Sequence, residues 1–521
     1  MASFGLGRRK FFLASGAATL GLTLASLATR KRANARNLGD LVPDPAGVLD
    51  LPPGFSYQIL DQFEDDMDDG YRVPARPDGM ACFAGPDNTL ILMRNHENSF
   101  GDQNGPYTGD QTPPPEAYVA QANGGVTRMV VDATTFERIS SNLVLIGTRR
   151  NCSGGPSPWG WLSCEEDVTN SSNGRHGYVF LCSIDATSVQ APNRIDGYGR
   201  YNHEAAAIDP SNYHAYLTED QLDSCLYRFV PDDMADPFVG KLQALKVVGI
   251  DNFATGGMAD GEVVDIEWVD IDEPDPETDT VRDEAQAKGG ALFIRAEGIC
   301  FFEGQIYICT TAGGPVYAGQ IFRLIDGATP TLELVVQSHA LPELEAPDNI
   351  VVAPWGEVFL CEDGNGDNYI RWVTAEGQIC TFAHNAASDS EFAGVCFSPD
   401  GKAMFVNLQA DGITLVITGP FPSDAPGDGD GDTTDTTEST DTDAGESEGD
   451  SAGGSSEGDA TGTGDEIADE SGTGDETGAA IGDEAEGCSC STSGEQTSVG
   501  ALVTGLAAMA LGSLVRERDH E

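Results

Sequence analysis

Residues 348–363 read DNIVVAPWGEVFLCED: an acidic residue, an apolar run, a turn rich in Pro and Gly, and a second apolar run that ends in two acids. Short runs of β-formers bounded by turn residues predict a β-hairpin. The same order of parts returns in residues 204–220 (EAAAIDPSNYHAYLTED), 297–311 (EGICFFEGQIYICTT) and 392–407 (FAGVCFSPDGKAMFVN). A looser copy spans residues 78–97, and half of one spans residues 161–166.

Hairpins repeated from about residue 40 to 422 predict a β-propeller, because a single β-sandwich would not explain the repetition. A third apolar strand often follows the hairpin, as at residues 226–229, 320–324 and 369–372. At ~50 residues per blade, this length fits six blades with insertions better than eight. We therefore predict an all-β catalytic or binding domain over residues 36–422, and a monomer, since a closed propeller needs no partner.

The charge of the chain excludes several classes of partner. Among 521 residues there are 85 Asp and Glu but only 28 Lys and Arg, which gives a formal charge of -57. Nucleic-acid-binding proteins need a basic face, and docking on anionic lipid needs basic clusters. Because no internal run of 18 apolar residues occurs, a protein with several membrane spans is also excluded.

The two ends of the chain indicate export. Residues 1–35 contain Arg8-Arg9, a mildly apolar Gly/Ala-rich segment and a small-residue cleavage motif, as in substrates of the twin-arginine translocase. Residues 423–487 form an acidic, Gly/Ser/Thr-rich stretch that we expect to be a disordered linker. Residues 488–521 carry two cysteines, a weakly apolar run and then arginines. This segment predicts a marginal membrane anchor, and it also resembles myxobacterial C-terminal sorting signals. We expect a periplasmic or cell-surface location, with membrane contact only through the tail.

Acids recur at matching positions of the hairpins. In a propeller the ends of equivalent strands meet around one axis, so these acids should converge on one mouth of the channel. They are Glu97, Glu165, Glu166, Glu204, Glu219, Asp220, Glu297, Asp348 and Glu362. Although any one of them alone is more often a solvated turn residue, so many carboxylates raise one another's pKa unless cations lie between them. Oxygen-rich sites of this kind suit calcium.

Two further residues refine the site. Cys152 lies in a polar, glycine-rich turn, Asn151-Cys152-Ser-Gly-Gly155, and its soft thiolate favours a transition metal beside the calcium. Arg295 precedes Glu297 by two residues, so both should point to the same face of a strand. A guanidinium among acids is either their structural partner or a fork that binds an oxyanion such as phosphate; spacing alone leaves the two roles equal.

These residues resemble the PhoX family, the alkaline phosphatases exported by the twin-arginine route. The motifs that carry the resemblance are Arg94-Asn-His-Glu97, Asn151-Cys-Ser-Gly-Gly155, Cys164-Glu-Glu166, Asn202-His-Glu-Ala205, Thr218-Glu-Asp220, Arg295-Ala-Glu-Gly298 and Pro347-Asp-Asn349. The resemblance implies a six-bladed propeller with calcium ions and an oxo-bridged iron pair (Ca²⁺ and Fe³⁺) at its mouth, acting on small-molecule phosphomonoesters.

The resemblance also implies roles for residues. Cys152 would bind iron, Arg295 would contact phosphate and Glu297 would bind metal, and we predict these three as the catalytic group. Acids at Glu165, Glu166, Glu204 and Asp220 look like calcium and iron ligands. We add Glu97, Asp348 and Glu362 as metal ligands because they share the same phase.

Three questions stay open at this stage. The family usually reads Pro-Trp-Gly-Thr-Trp before Cys-Glu-Glu, whereas Trp159-Gly160-Trp161 is one residue shorter, and a lost strand residue would exchange the faces of Glu165 and Glu166. His96 or His203 could protonate a leaving group, although a structural hydrogen bond is the commoner role of such a residue. The rival functions are a calcium-stabilised binding module without chemistry and a lactonase-like calcium hydrolase, which would need fewer acids and no thiolate.

Overall fold

A computed structural model describes residues 38–99, 104–171, 174–374 and 376–422. The predictions for the signal segment 1–35, the linker 423–487 and the tail 488–521 lie outside these residues. Within the described part the chain is all-β, with one short α-helix, α1 (Val281–Ala287), and two 3-10 turns. Among the same residues, none of the helices has the length and hydrophobicity needed to cross a bilayer.

The strands follow one another as antiparallel neighbours joined by short turns. Those of the first half are β1 (Leu49–Asp50), β2 (Ser56–Gln62), β3 (Pro77–Ala84), β4 (Thr89–His96), β5 (Gly124–Asp132), β6 (Arg138–Thr148), β7 (Asn151–Ser157), β8 (Gly160–Glu165), β9 (Asn170–Ser171), β10 (Gly174–Arg175), β11 (Val179–Cys182), β12 (Arg194–Ile195), β13 (His203–Ile208) and β14 (Ala215–Glu219). Those of the second half are β15 (Tyr227–Asp233), β16 (Asp236–Val247), β17 (Val263–Asp270), β18 (Ala296–Phe302), β19 (Gln305–Thr310), β20 (Gln320–Ile325), β21 (Thr331–Gln337), β22 (Pro347–Val352), β23 (Val358–Glu362), β24 (Tyr369–Val373), β25 (Ile379–Asn385), β26 (Phe392–Phe397), β27 (Ala403–Leu408) and β28 (Ile413–Thr418).

The strands form a propeller-like arrangement. Four small sheets have the orders β3-β4-β5-β6, β7-β8-β11-β12, β22-β23-β24-β25-β1 and β26-β27-β28-β2, and β9 pairs with β10 as a separate ribbon. A nine-stranded sheet runs β13-β14-β15-β16-β17-β21-β20-β19-β18, so that β17 joins two hairpin units. The predicted all-β class is confirmed, and the repeated hairpins of the sequence are the hairpins of these sheets.

One edge strand of each unit lines the central channel. These inner strands are β3, β7, β13, β18, β22 and β26. Each contacts the next, and β26 contacts β3, so the inner strands follow one another in a ring. Below the mouth the channel is a cavity of about 360 Å³ with an apolar wall that includes Met80, Ile299 and Val351.

Neighbouring sheets bury their apolar faces against each other. The largest aromatic cluster lies between the sheets of β22 and β26, where Phe359 packs edge-on against Phe382 and Phe397 at ring distances of 5.5 and 5.2 Å. Successive strand residues point to the two faces of a sheet, and neighbouring sheets cover these faces. This is why the strands appear in the sequence as apolar runs. The cores between sheets hold each inner strand at a fixed distance from the channel axis.

The first two strands of the described domain complete the last two sheets. Strand β2 pairs with β28, with Ser56 opposite Thr418, and β1 pairs with β25, with Leu49 opposite Asn385. Both ends of the domain therefore lie in one sheet, in which β2 is the outer strand and β26 lines the channel. The repeat pattern did not predict this pairing, because residues 49–62 lack the hairpin motif.

A buried ion pair fastens this closing strand to its neighbour. Arg94 on β4 donates from Nη1 and Nη2 to the carboxylate of Asp61 on β2 at 2.6 and 3.1 Å. The side chains of Asp61 and Arg94 are 0 and 3% exposed, and Arg94 also donates to Thr414 on β28. Strands from both ends of the domain thus converge on one guanidinium.

Replacing Asp61→Asn should destabilise the domain by about 3–5 kcal/mol, because it leaves the buried Arg94 charge without its partner. Denaturant unfolding followed by tryptophan fluorescence measures this loss. The control is Asp400→Asn, which removes an exposed pair with Lys402 and should cost about 1 kcal/mol or less. Equal effects of the two substitutions would show that the buried pair does not fasten the closing strand.

Candidate active site

Each inner strand carries a β-bulge at its mouth end. In β3, for example, Pro77 pairs with His96 and Met80 pairs with Arg94, so two residues of β3 face one residue of β4. The same shift occurs in β7, β13, β18, β22 and β26. The first bulge residues are Asp78, Cys152, Glu204, Glu297, Asp348 and Gly394. Since a bulge redirects a side chain, a repeated bulge explains why one position of every unit meets at the mouth.

Small residues beside these bulges allow the inner strands to approach closely. A Cβ on Gly155 of β7 would lie 1.7 Å from the carbonyl oxygen of Ala206 on β13. A Cβ on Gly298 of β18 would lie 2.6 Å from the carbonyl oxygen of Asp348 on β22. Glycines at these places therefore bring the donors of adjacent strands within reach of a common ion.

Two groups of donor atoms meet the distance requirement for metal binding. Ligand atoms of Cys152, Glu166 and Glu204 all lie within 4.8 Å of one another, and so do those of Glu204, Glu297 and Asp348. Glu204 belongs to both groups. Five residues predicted as metal ligands are thus brought together, and the shared carboxylate joins the two groups into one site.

A second row of side chains lies above the bulges. It consists of the residues that directly follow the strand paired with each inner strand: Glu97, Glu166, Asp220, Thr311, Asp363 and Gln409. The backbone N–H of Glu166 donates to Arg150 O at 3.0 Å, and that of Thr311 donates to Arg295 O at 3.0 Å. These hydrogen bonds turn the chain so that the row faces the mouth rather than the sheet.

Two arginines connect this row. Arg150 donates from Nε to Glu97 at 3.0 Å and from Nη2 to Glu166 at 2.5 Å. Arg295 forms a bidentate pair with Asp220, from Nε at 2.9 Å and Nη2 at 3.0 Å. Arg295 Nη2 also donates to Glu297 at 2.9 Å, which confirms the prediction that Arg295 and Glu297 share a face.

Burial and mutual repulsion disfavour the ionised forms of the acids. Burial and then the neighbouring Glu97 raise the pKa of Asp78 to about 8. Burial and then Asp220 raise the pKa of Glu297 to about 8, despite Arg295. For Glu204 and Asp348 the pKa rises well above its ordinary value, first through burial and then through Glu297. Cations would reverse these shifts, because they favour the ionised forms.

The thiol of Cys152 is in the same environment. Its side chain is buried, it is not part of a disulfide, and Sγ lies 3.4 Å from the carbonyl oxygen of His203. Burial and then Glu204 raise its pKa well above the ordinary value. A buried thiol with carboxylates around it is a poor nucleophile without a cation but a suitable ligand with one.

The structure adds acids that the sequence analysis did not include. Asp78 holds the bulge position of β3, and Gln409 donates to it at 2.7 Å. Glu391 and Asp363 are hydrogen-bonded to each other, and burial and then Asp363 raise the pKa of Glu391 well above its ordinary value. Asp78-Gly79 has the same position in its hairpin as Glu297-Gly298, and this correspondence is the feature of the sequence that identifies Asp78.

The first acid of each acidic pair faces away from the mouth. Glu165 accepts hydrogen bonds from His176 Nδ1 at 2.7 Å and from the backbone of Gly177 and Arg149. Glu362 accepts from Arg371 Nε at 2.8 Å and from two backbone N–H groups. Neither belongs to the donor groups above, so their predicted metal binding stays a prediction, and their contacts favour a role in holding loops.

Glu219 has the corresponding position in β14 and the same kind of role. It accepts from Tyr227 at 2.9 Å and from Arg282 of α1 at 2.6 Å. The acid that follows it, Asp220, is the one that faces Arg295. Neighbouring strand residues point to opposite faces. In each of these pairs of consecutive acids, the first therefore contacts the surrounding structure and the second faces the mouth.

The shortened segment before Cys164 does not disturb this division. Ser157 pairs with Gly160 across a turn at Pro158 and Trp159, at the end of the hairpin far from the mouth. At the other end Asn151 pairs with Glu165, as His203 pairs with Glu219 in the next unit. The turn therefore absorbs the missing residue, and Glu166 reaches Cys152.

The two histidines have structural surroundings. His96 is buried between Ala75 O at 3.1 Å and Thr127 Oγ1 at 2.9 Å, and burial lowers its pKa well below the ordinary value. His203 stacks on Tyr201 with 3.7 Å between ring centroids, and burial lowers its pKa to about 3. Both rings stay neutral, which favours the structural role over proton donation.

Asn95, next to His96, aligns the thiol-bearing strand. Its Nδ2 donates to Ser153 O at 2.6 Å and to Cys152 O at 3.2 Å, while its Oδ1 accepts from Trp161 Nε1 at 2.8 Å. The four residues 94–97 thus have four different roles. Arg94 closes the ring, Asn95 aligns β7, His96 fills the interior, and Glu97 lies at the mouth.

Comparison with known proteins places this geometry in a family. The model of the family described as alkaline phosphatase PhoX matches residues 36–412. The chain belongs to the PhoX family. The structure of Pseudomonas fluorescens PhoX in complex with vanadate, a transition state analogue, is similar to 73% of this chain and 98% of that chain, with 18% identity and a TM-score of 0.56.

A weaker likeness is to XC5397 from Xanthomonas campestris, a gluconolactonase, with 11% identity, coverage of 75% of this chain and 99% of that chain, and a TM-score of 0.39. No curated protein matches the chain. Membership of the PhoX family confirms the predicted phosphoric monoester hydrolase, which is metal-dependent and acts on small-molecule phosphate esters.

Removing cations should destabilise the protein most at alkaline pH. The folded pKa values of about 8 for Asp78 and Glu297 lie above the ordinary values of 3.8 and 4.5. In the cation-free protein their contribution to stability is therefore complete below about pH 4 and is lost as the pH rises through about 8. Thermal unfolding of chelated and calcium-loaded protein at pH 5, 7 and 9 measures the gap, which should widen with pH.

Glu297→Gln is the control for this pH dependence, because it removes one of the ionising groups. Its gap should grow less steeply between pH 5 and pH 9 than that of the unsubstituted protein. A gap that is constant with pH in both proteins would refute the electrostatic explanation.

Proposed function

We propose that the protein is an exported phosphomonoesterase whose calcium and iron ions lie at the mouth of a six-bladed propeller. The observation that carries the proposal is the joined pair of donor groups, Cys152–Glu166–Glu204 and Glu204–Glu297–Asp348. The ring of inner strands β3, β7, β13, β18, β22 and β26 supports the number of blades. The nine-stranded sheet would then be two blades joined through β17.

The chemistry of the donors fits two kinds of cation. The group that contains the Cys152 thiol suits iron, because sulfur ligands favour transition metals. The group of three carboxylates from Glu204, Glu297 and Asp348 suits calcium, a hard cation that takes oxygen ligands. All five side chains are at least partly buried, and the ionised forms that metals require are disfavoured without a cation. A thiol at this position also separates the proposal from a lactonase-like site that uses calcium alone.

Arg295 is placed to bind the phosphoryl group. Asp220 and Glu297 engage its Nε and Nη2, while Nη1 forms no hydrogen bond within the described residues. A guanidinium fixed on one side offers its remaining donors to an oxyanion in a defined direction. When bound, the cations would neutralise the phosphate oxygens and lower the pKa of a water ligand.

Export and location rest on the sequence alone. The twin arginine of residues 1–35 supports translocation of a folded, metal-loaded enzyme, and the acidic linker 423–487 supports display of the domain away from the membrane. We propose a periplasmic or cell-surface monomer that contacts the membrane only through residues 488–521.

Replacing Cys152→Ser tests the proposed centre. Hydrolysis of p-nitrophenyl phosphate should fall by about 100-fold or more, since even supporting residues of a metal site are worth 10–100-fold. Bound iron, measured by elemental analysis, should fall with it, together with any visible colour of the protein. The control is Cys300→Ser, which changes a thiol of the channel wall below the mouth. A Cys152→Ser protein with full activity and unchanged iron would refute the proposal.

The adjacent acids Glu165 and Glu166 offer a matched pair. Glu166→Gln should lower metal content and activity while leaving the fold intact, because it removes a charged donor beside Cys152. Glu165→Gln should retain more metal but lower the unfolding temperature, because it weakens the contacts with His176 and three backbone N–H groups. Elemental analysis and thermal unfolding of both variants decide this, and the reverse outcome would mean that the two acids have exchanged faces.

A further inference from the structure

Three arginines occupy the same backbone position in three hairpins. Arg76, Arg150 and Arg295 each directly precede an inner strand, and their φ angles are +50°, +44° and +55°. The carbonyl oxygen of each accepts a hydrogen bond from the residue that follows the paired strand; for Arg76 the donor is Glu97 at 2.9 Å. Left-handed backbone at a residue with a side chain costs about 1–3 kcal/mol. The shared conformation gives the three Cα–Cβ bonds the same direction relative to their own hairpins.

Two of these arginines follow one pairing rule. Arg150 binds Glu97, which directly follows the paired strand of the preceding unit in the ring. Arg295 binds Asp220, which holds the corresponding place in its own preceding unit. A carboxylate of the neighbouring unit thus partly neutralises each guanidinium and engages one donor of Arg150 and two of Arg295.

Arg76 breaks the rule because its neighbour differs. The unit that precedes β3 in the ring is that of β26, and its corresponding residue is Gln409, a neutral amide. Gln409 donates to Asp78 at 2.7 Å and to Glu97 at 3.1 Å. Within the described residues no hydrogen bond or ion pair engages the guanidinium of Arg76, which is partly exposed. The guanidinium of Arg76 lacks such a partner among these residues although the chain has 85 acidic and only 28 basic residues.

The ring places Arg76 across the mouth from Arg295. Strands β3 and β18 are separated by β7 and β13 in one direction and by β26 and β22 in the other. A phosphoryl group held at Arg295 leaves the remainder of its ester free to extend across the mouth, where Arg76 precedes the opposite inner strand. A guanidinium matches carboxylate and phosphate in shape and charge.

We infer that Arg76 binds a second anionic group, carried by the alcohol part of the substrate. This inference rests on the proposed function and names its substrate class: phosphomonoesters whose alcohol part bears a carboxylate or a second phosphate. Arg76 is then a specificity residue, while the phosphoryl group is handled on the opposite side of the mouth.

Steady-state kinetics with 2-phosphoglycolate and ethyl phosphate test the inference, because the two esters differ in one carboxylate. For Arg76→Gln, KM for 2-phosphoglycolate should rise about 10–100-fold, the range of a charge-assisted hydrogen-bond pair, with kcat little changed. KM for ethyl phosphate should stay within about 2-fold, and metal content should be unchanged. Arg76→Lys, which keeps the charge without the fork, should give an intermediate KM.

Arg323→Gln is the control, since Arg323 pairs with Glu333 between β20 and β21, outside the inner strands; it should alter neither KM. Equal losses on both esters, loss of metal, or no change on either ester in Arg76→Gln would overturn the inference. Failure of the unsubstituted protein to hydrolyse either ester would instead overturn the proposed function, and the inference with it.

Discussion

Crowding of negative charge at the mouth is the constraint on which the rest of the structure depends. The inner strands, the row above them and Glu391, which directly precedes β26, contribute nine carboxylates and one thiol, from Asp78, Glu97, Cys152, Glu166, Glu204, Asp220, Glu297, Asp348, Asp363 and Glu391. Among the described residues, Arg150 and Arg295 form ion pairs with them, and Arg76 has the equivalent backbone position before β3. Burial raises the pKa values of most of these acids, so the ionised site is stable only with cations. The fold therefore positions metal ligands that need bound cations to be stable in their ionised form.

One backbone device, used in every unit, produces the crowding. A bulge at the start of each inner strand turns a single side chain into the channel, and the strand paired with it places its following residue above. The identities then vary around the ring: Cys152 supplies sulfur, Gly394 supplies nothing, and the remaining four are acids. A repeated backbone with varied side chains is what allows one fold to bind ions of different character.

The sequence could predict the hairpins but not this device. Apolar runs ending in acids were visible in residues 204–220 and 348–363, because buried strands need such runs. The sequence did not separate Glu165 from Glu166, or Glu362 from Asp363, because the face of each depends on where the bulge interrupts the alternation. Asp78 is not apparent from the repeat, because its unit is the least regular copy. Pairing of β2 with β28 could not be read from a local pattern either, since it joins the two ends of the domain.

The negative charge of the mouth also determines the order in which cations and substrate bind. Once these acids ionise, nine carboxylates against three guanidinium groups would repel a phosphate ester, so cations must occupy the mouth before the substrate does. Arg150 and Arg295 cannot supply the attraction by themselves, because Glu97, Glu166, Asp220 and Glu297 already engage them. Arg76 differs because Gln409 stands where a carboxylate would neutralise it. The exchange of one acid for an amide thus leaves positive charge at the rim, at the point where the far end of a substrate would arrive.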